Sequence, residues 1–112
     1  MSIAGDLIRG HTDAIILSRL LKGDSYGYEI NKVISTLSSG RFELKEATLY
    51  TAFKRLEEQG FIASYWGDSG AGARRRYYTI TALGKDASHR LRQEWEETRQ
   101  IMDKLMETEA EK

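Results

Sequence analysis

Cysteine and proline are both absent from the 112 residues. Without cysteine there is no disulfide framework and no thiol chemistry, which fits a reducing cytosol, so a cytoplasmic location is expected. The two histidines, His11 and His89, lie 78 positions apart and neither sits in a metal-ligand set, so no metal or other cofactor is expected. No apolar run approaches the roughly 20 residues of a membrane span. The first residues, Met1 to Asp6, lack the basic region and long apolar core of a signal peptide. There is no Gly-rich loop joining a strand to a helix, and no Ser/His/Asp set that the spacing supports, so an enzyme is not expected. With 40% hydrophobic and 30% charged residues, the composition is globular rather than disordered, and the length suits one domain.

Net charge is also lacking, at 0, but it is unevenly distributed. Residues 1–85 carry 12 basic and 9 acidic side chains, whereas residues 86–112 carry 5 and 8. A basic front part and an acidic C-terminal part separate a side facing nucleic acid from a far side.

What is present centres on Glu46 to Tyr78. Leu49, Ala52, Phe53 and Leu56 recur at i, i+3, i+4 and i+7, one apolar face of a helix that Gly60 stops. The opposite face carries Ala47, Tyr50, Thr51 and Lys54, flanked by Thr48 and Arg55. These small, hydroxylic or basic groups fit a DNA major groove and donate to bases and phosphates. After Gly60 the pattern turns extended. Phe61–Trp66 and Arg75–Ile80 are strand candidates around a turn-rich loop, Gly67–Ala73. Helix, hairpin and the Arg74-Arg75-Arg76 cluster, in that order, predict a winged helix with arginines beside the DNA backbone, where their guanidinium groups can bind phosphate bidentately.

Elsewhere, Leu7–Leu21 reads as a first helix with Asp6 as its N-cap. Ser25 is expected to cap a second helix, Tyr26 to about Leu37, that Ser38-Ser39-Gly40 ends. Tyr26 and Tyr28 fall in its first turn, where a tyrosine either donates to a phosphate or fills the core. Arg41–Leu44 is an extended connection, a possible edge strand against the wing. Lys45 then occupies a poorly capped helix start.

From Thr81, as N-cap, a long helix is expected to reach about Glu109. Ala87, Leu91, Trp95, Thr98, Met102 and Leu105 form a near-heptad stripe along it. That stripe is too long for a small core to cover, so a homodimer is inferred, and a two-fold dimer matches a palindromic DNA site. The expected class is mainly α with a small β-hairpin. Residues 1–80 form the winged helix-turn-helix, residues 81–112 the dimerisation helix, and the first helix also contributes to the dimer, all in one compact unit.

Several motifs in combination resemble the PadR family of bacterial transcriptional regulators. They are Gly23-Asp24-Ser25-Tyr26-Gly27-Tyr28, Phe42 to Tyr50, Arg55-Leu56-Glu57 with Gly60, Trp66-Gly67, Arg74 to Tyr78, and Thr81 with Gly84. The resemblance implies a dimeric repressor of the compact subfamily with one C-terminal helix. It is nearest to the multidrug-sensing members, where a tryptophan on the last helix stacks planar aromatic drugs at the dimer centre. Trp95 matches that tryptophan, and two indoles across a two-fold axis offer faces for stacking and cation–π attraction. Leu7, Ala14 and Ser18 would line the rest of the pore, while Arg92 and Arg99 flank Trp95 by helical spacing. Thr51 and Lys45 stand where many members have proline and a serine or asparagine cap.

The expected function is a repressor of its own promoter, of a multidrug-transporter promoter, or of both, relieved by an aromatic compound. Tyr26, Thr48, Tyr50, Thr51, Lys54, Arg55, Arg74, Arg75, Arg76 and Tyr77 would contact DNA. The alternative is a winged-helix protein-interaction adaptor with no ligand response.

Overall fold

A break at Gly10 and His11 divides the N-terminal helical segment in two. The computed structural model describes residues 3–68 and 74–107, and α1 spans Ile3–Arg9 while α2 spans Thr12–Leu21. The single helix expected over Leu7–Leu21 is therefore corrected. Gly10 is a weak helix former, and the chain ends of the break are satisfied locally. The Thr12 hydroxyl donates to the Arg9 carbonyl at 2.7 Å and the His11 amide to Ile8 at 2.8 Å. Asp6, expected as a cap, lies inside α1 and pairs with Arg9.

The helix α3, Gly27–Leu37, starts one residue later than expected, with Tyr26 rather than Ser25 as its N-cap. Ser25 is drawn into a sheet instead. Strand β1, Ser25–Tyr26, pairs antiparallel with the third strand, placing Ser25 opposite Tyr78 and Tyr26 opposite Tyr77. The Ser25 hydroxyl donates to the Glu29 carboxylate. The edge strand expected at Arg41–Leu44 does not form, because side chains of α3 and its C-cap take up its backbone groups. Asn31 donates to the Leu44 carbonyl at 2.7 Å and accepts from the Leu44 amide at 2.8 Å. Ser38 bonds the amide and carbonyl of Phe42, each at 3.0 Å.

The helix α4 covers Glu46–Glu58 and its four expected apolar residues, Leu49, Ala52, Phe53 and Leu56, are all buried. Gly60 ends it at φ 78°, a conformation glycine adopts without a Cβ penalty. Paired bonds close the last turn, from the Phe61 amide to Leu56 and from the Gly60 amide to Glu57, each 3.0 Å. Strands β2, Ile62–Asp68, and β3, Arg74–Ile80, follow as an antiparallel hairpin, with Ile62 opposite Ile80 and Asp68 opposite Arg74. The sheet order is β1-β3-β2. Both strands begin or end beyond the expected limits, and the tip of the expected loop, residues 69–73, lies outside the described residues.

The core joins Ile16, Leu17 and Leu20 of α2, Ile30 and Ile34 of α3, the α4 face, Ile62, Tyr78 and Ala87. Leu7 and Leu37 instead stay about two-thirds exposed. The last helix, α5, spans Ala82–Leu105 with Met106 as its C-cap, so it ends short of the expected limit near Glu109. At 1.5 Å per residue its 24 residues extend about 36 Å, much of the molecule's 60 Å length. Among the described residues no helix is long and apolar enough to cross a membrane.

Thr81 joins the start of α5 to the end of α4. Its hydroxyl accepts from the Gly84 amide at 3.0 Å and donates to the Gly60 carbonyl at 2.7 Å, while its own amide donates to Phe61 at 3.0 Å. This draws Gly84 onto the backbone of Phe61, where a Cβ would overlap the Phe61 carbonyl oxygen. Gly84→Ala is expected to cost about 3 kcal/mol, as overpacking against rigid backbone does. The denaturant midpoint should fall accordingly, and an unchanged midpoint would refute the close approach.

Candidate nucleic-acid interface

The exposed face of α4 carries Ala47, Tyr50, Thr51 and Lys54, with Thr48 half-buried beside them. Its start is set by the Asn31 clamp on Leu44, one residue before the N-cap. Lys45 adopts extended backbone there and supplies no side-chain cap, as its chemistry dictates. The N-terminus of α3 crosses close by. A Cβ on Gly27 would lie 2.6 Å from the Tyr50 hydroxyl, so glycine at this point lets the two helices approach. Tyr50 packs edge-on against Phe53 at 5.5 Å. Tyr28, in the first turn of α3, is 70% exposed.

The three consecutive arginines are divided by strand alternation. Tyr78 points into the core, so Arg74 and Arg76 share its side of β3, and Arg75 and Tyr77 occupy the other. On the first side, Arg74 and Arg76 lie over Trp66 at 5.4 and 6.0 Å. Arg76 also donates to the Ser64 hydroxyl at 2.8 Å and pairs with Glu57 at 3.6 Å. On the second side, Arg75 lies over the Tyr26 ring at 4.3 Å. Tyr77 contacts Tyr26 edge-on at 5.3 Å and stacks on Tyr65 at 5.6 Å.

Two of the basic side chains expected to meet DNA thus have acidic partners within the chain. Arg55 is held by both carboxylate oxygens of Asp13 on α2, and Arg76 faces Glu57. Sequence spacing gave no sign of either pairing, since Asp13 is 42 positions from Arg55. Lys54 and Arg75 have no carboxylate partner among the described residues. The role of Trp66 as a rest for two arginines was also illegible, because it depends on cross-strand register: Trp66 stands opposite Arg76.

Behind β1, Asp24 accepts a hydrogen bond from the Tyr65 hydroxyl at 2.6 Å. Hydrogen bonds from Thr79 and then Tyr65 hold the Asp24 carboxyl below the ordinary carboxylate range. Burial pushes the Tyr78 phenol up.

A cavity of about 440 Å³ opens between α2, α3 and the middle of α5. Ala14, Ser18 and Trp95 line it with Phe42, Leu91 and Arg92. Trp95 is 46% exposed and meets His11 edge-on at 5.1 Å. Leu7 is outside this lining, and Arg99 is tied to Glu96 and Asp103. Of the expected dimer stripe, Ala87 is consumed by the chain's own core and Leu91 packs against it. Thr98, Met102 and Leu105 are exposed, as are Ile101 and Met106, which the spacing did not single out.

Residues 16–90 match the transcriptional regulator PadR-like family. A transcriptional regulator from Clostridium thermocellum superposes with a TM-score of 0.85 at 45% identity, covering 95% of this chain and 100% of that one. An uncharacterised protein of Lysinibacillus sphaericus is 48% identical over 105 residues, 94% of this chain and 96% of its own. The negative transcriptional regulator PadR of Bacillus subtilis is 30% identical over 74 residues, 66% of this chain and 41% of its own.

The Asp24 hydrogen bonds imply a pH dependence. A carboxyl whose folded pKa is depressed stabilises fully above its unfolded value, about 3.9, and loses that contribution as pH falls through the lower folded value. Asp24→Asn should therefore lower the denaturant midpoint near neutrality by an amount that shrinks below about pH 4. A difference that stays constant across that range would show that Asp24 contributes no such term.

Proposed function

The chain belongs to the PadR-like family of transcriptional regulators, and from that premise we propose that it is a homodimeric repressor of a two-fold symmetric promoter site. It binds DNA and is not an enzyme. The observation that carries the reading is the juxtaposition of the open α4 face with Arg75 on the adjoining wing, which has no carboxylate partner among the described residues. The helix presents Thr48, Tyr50, Thr51 and Lys54 to the major groove, and the wing presents Arg75, with Tyr77 beside it, to backbone phosphate. Repression is supported by the similarity to a protein named as a negative regulator.

The distal half of α5 supports a two-fold dimer. Trp95, Ile101, Met102, Leu105 and Met106 are all more than 40% exposed in the single chain, an apolar stripe whose burial a second copy would provide. The proximal half, from Ala87 to Leu91, is the part held by the chain's own domain. The promoter is the chain's own, a multidrug-transporter promoter, or both. Residues 1–80 act as the DNA-reading part and residues 81–112 as the dimerisation part.

An aromatic effector is the second component of this reading. It is supported by the apolar cavity beside Trp95, with Ala14 and Ser18 in its wall. A planar ligand stacked on Trp95 would press on α2, and α2 reaches the reading helix through Asp13 and Arg55. The adaptor alternative is separated from this by its DNA behaviour alone.

The first test is anisotropy of a labelled duplex from the chain's own upstream region, titrated at several salt concentrations. Tight binding that weakens steeply with salt is expected, with Lys54→Ala losing about tenfold and lowering the salt slope by about 1 per protomer. Binding no tighter than to random duplex would favour the adaptor. Trp95→Leu, which removes the aromatic face but keeps an apolar group on the dimer stripe, should abolish the release of DNA by planar aromatic dyes while leaving DNA affinity within about twofold. Undiminished release would remove the effector from the proposal.

A further inference from the structure

Tyr26 lies at the point where three elements meet. It caps α3, forms half of β1, and faces Tyr77 across the ladder. Its ring is half-buried, with Tyr77 edge-on at 5.3 Å and the Arg75 guanidinium over it at 4.3 Å. The backbone pairing of β1 with β3 fixes the ring's base, and the Tyr77 contact restricts its tilt. Arg75 has no carboxylate partner among the described residues, so the ring is the principal group that orients it.

We propose that Tyr26 is a positioning residue for DNA binding: its ring is a platform that holds the Arg75 guanidinium ready for backbone phosphate. This rests on the DNA-binding reading above and adds to it, because Tyr26 then works through Arg75 and not through its own hydroxyl. The physical gain is pre-organisation. A free arginine loses much rotamer freedom when it grips a phosphate, and a side chain already resting on an aromatic face has lost much of it beforehand. Cation–π attraction leaves the guanidinium edge open, and that edge carries the N–H donors that phosphate accepts from. The arrangement also distinguishes the three arginines. Arg76 is restrained by Glu57 and Ser64, on the other side of the strand.

The test uses the full chain and a labelled random-sequence duplex at low salt, where binding depends on phosphate contacts and needs no operator. Tyr26→Phe should keep the affinity and the salt slope, since the ring remains. Tyr26→Leu should lose about three- to tenfold and lower the slope toward that of Arg75→Ala. The double variant Tyr26→Leu with Arg75→Ala should bind no more weakly than Arg75→Ala alone. A loss with Tyr26→Phe, or additive losses in the double variant, would overturn the proposal. A second readout needs neither DNA nor a disruptive substitution. In the NMR spectrum of the free protein, the Arg75 side-chain protons should be shifted upfield by the Tyr26 ring, in wild type and in Tyr26→Phe. Unshifted resonances would overturn the platform even if duplex binding is strong. Absence of any salt-dependent duplex binding by the wild-type chain would instead sink the DNA-binding reading, with the NMR result still deciding whether the platform exists.

Discussion

The stack of Phe53 on Tyr78, with ring centroids 3.9 Å apart and planes 20° from parallel, sets the geometry on which the rest of the interface depends. Phe53 belongs to the buried face of α4 and Tyr78 to the wing strand β3. Both are almost fully buried, so the reading helix and the wing share one piece of core. Two consequences follow by elementary periodicity. Burying the Phe53 face of α4 turns Thr51, two residues before it, and Lys54, one residue after it, outward, and leaves Tyr50 at the edge of that face, exposed but in contact with the Phe53 ring. Burying Tyr78 commits Arg74 and Arg76 to one side of the strand and Arg75 to the other.

That division explains why three adjacent arginines are not equivalent. On the Tyr78 side, the end of α4 supplies Glu57 and β2 supplies Ser64 and Trp66, so Arg76 is bound within the fold. Across the strand Arg75 meets the Tyr26 ring and, among the described residues, has no carboxylate partner. An exposed ion pair is worth little in stability, about 0–1 kcal/mol, so Arg76–Glu57 is better understood as orientation than as glue. Arg55 and Asp13 connect α4 to α2 in the same manner, and α2 also lines the Trp95 cavity. The chain thereby has a short physical route between its apolar cavity and its basic face.

The last helix serves two environments along one length. Its start is anchored by Thr81 and by the fit of Gly84 on Phe61, and Ala87 completes the core. Beyond Trp95, which still meets His11, the same helix leaves the domain, and its apolar residues lie on the surface. A continuous stripe read from spacing is in fact two stripes, one satisfied within the chain and one open.

Local patterns were enough for the main elements. The α4 face from Leu49 to Leu56, its stop at Gly60, the hairpin after it and the Thr81 cap all depend on periodicity, glycine conformation or a single hydroxyl, and each was legible from neighbouring residues. Two of the three misreadings involve contacts between distant residues. Ser25 looked like a cap because serine caps helices, but pairing with Tyr78 claimed it for the sheet. Arg41–Leu44 looked extended and edge-like, but Asn31 and Ser38 satisfied its backbone from α3. The third is local: Leu7–Leu21 read as one helix, but the chain breaks at Gly10 and His11 and Thr12 bonds back to Arg9. The candidate site divides the same way. Residue types on α4 and the wing announced a basic, hydroxylic surface. Which charges on it stay open was decided only when folding brought Asp13 to Arg55, Glu57 to Arg76 and Tyr26 beneath Arg75, because an ion pair or a ring contact forms through space and leaves no trace in spacing along the chain.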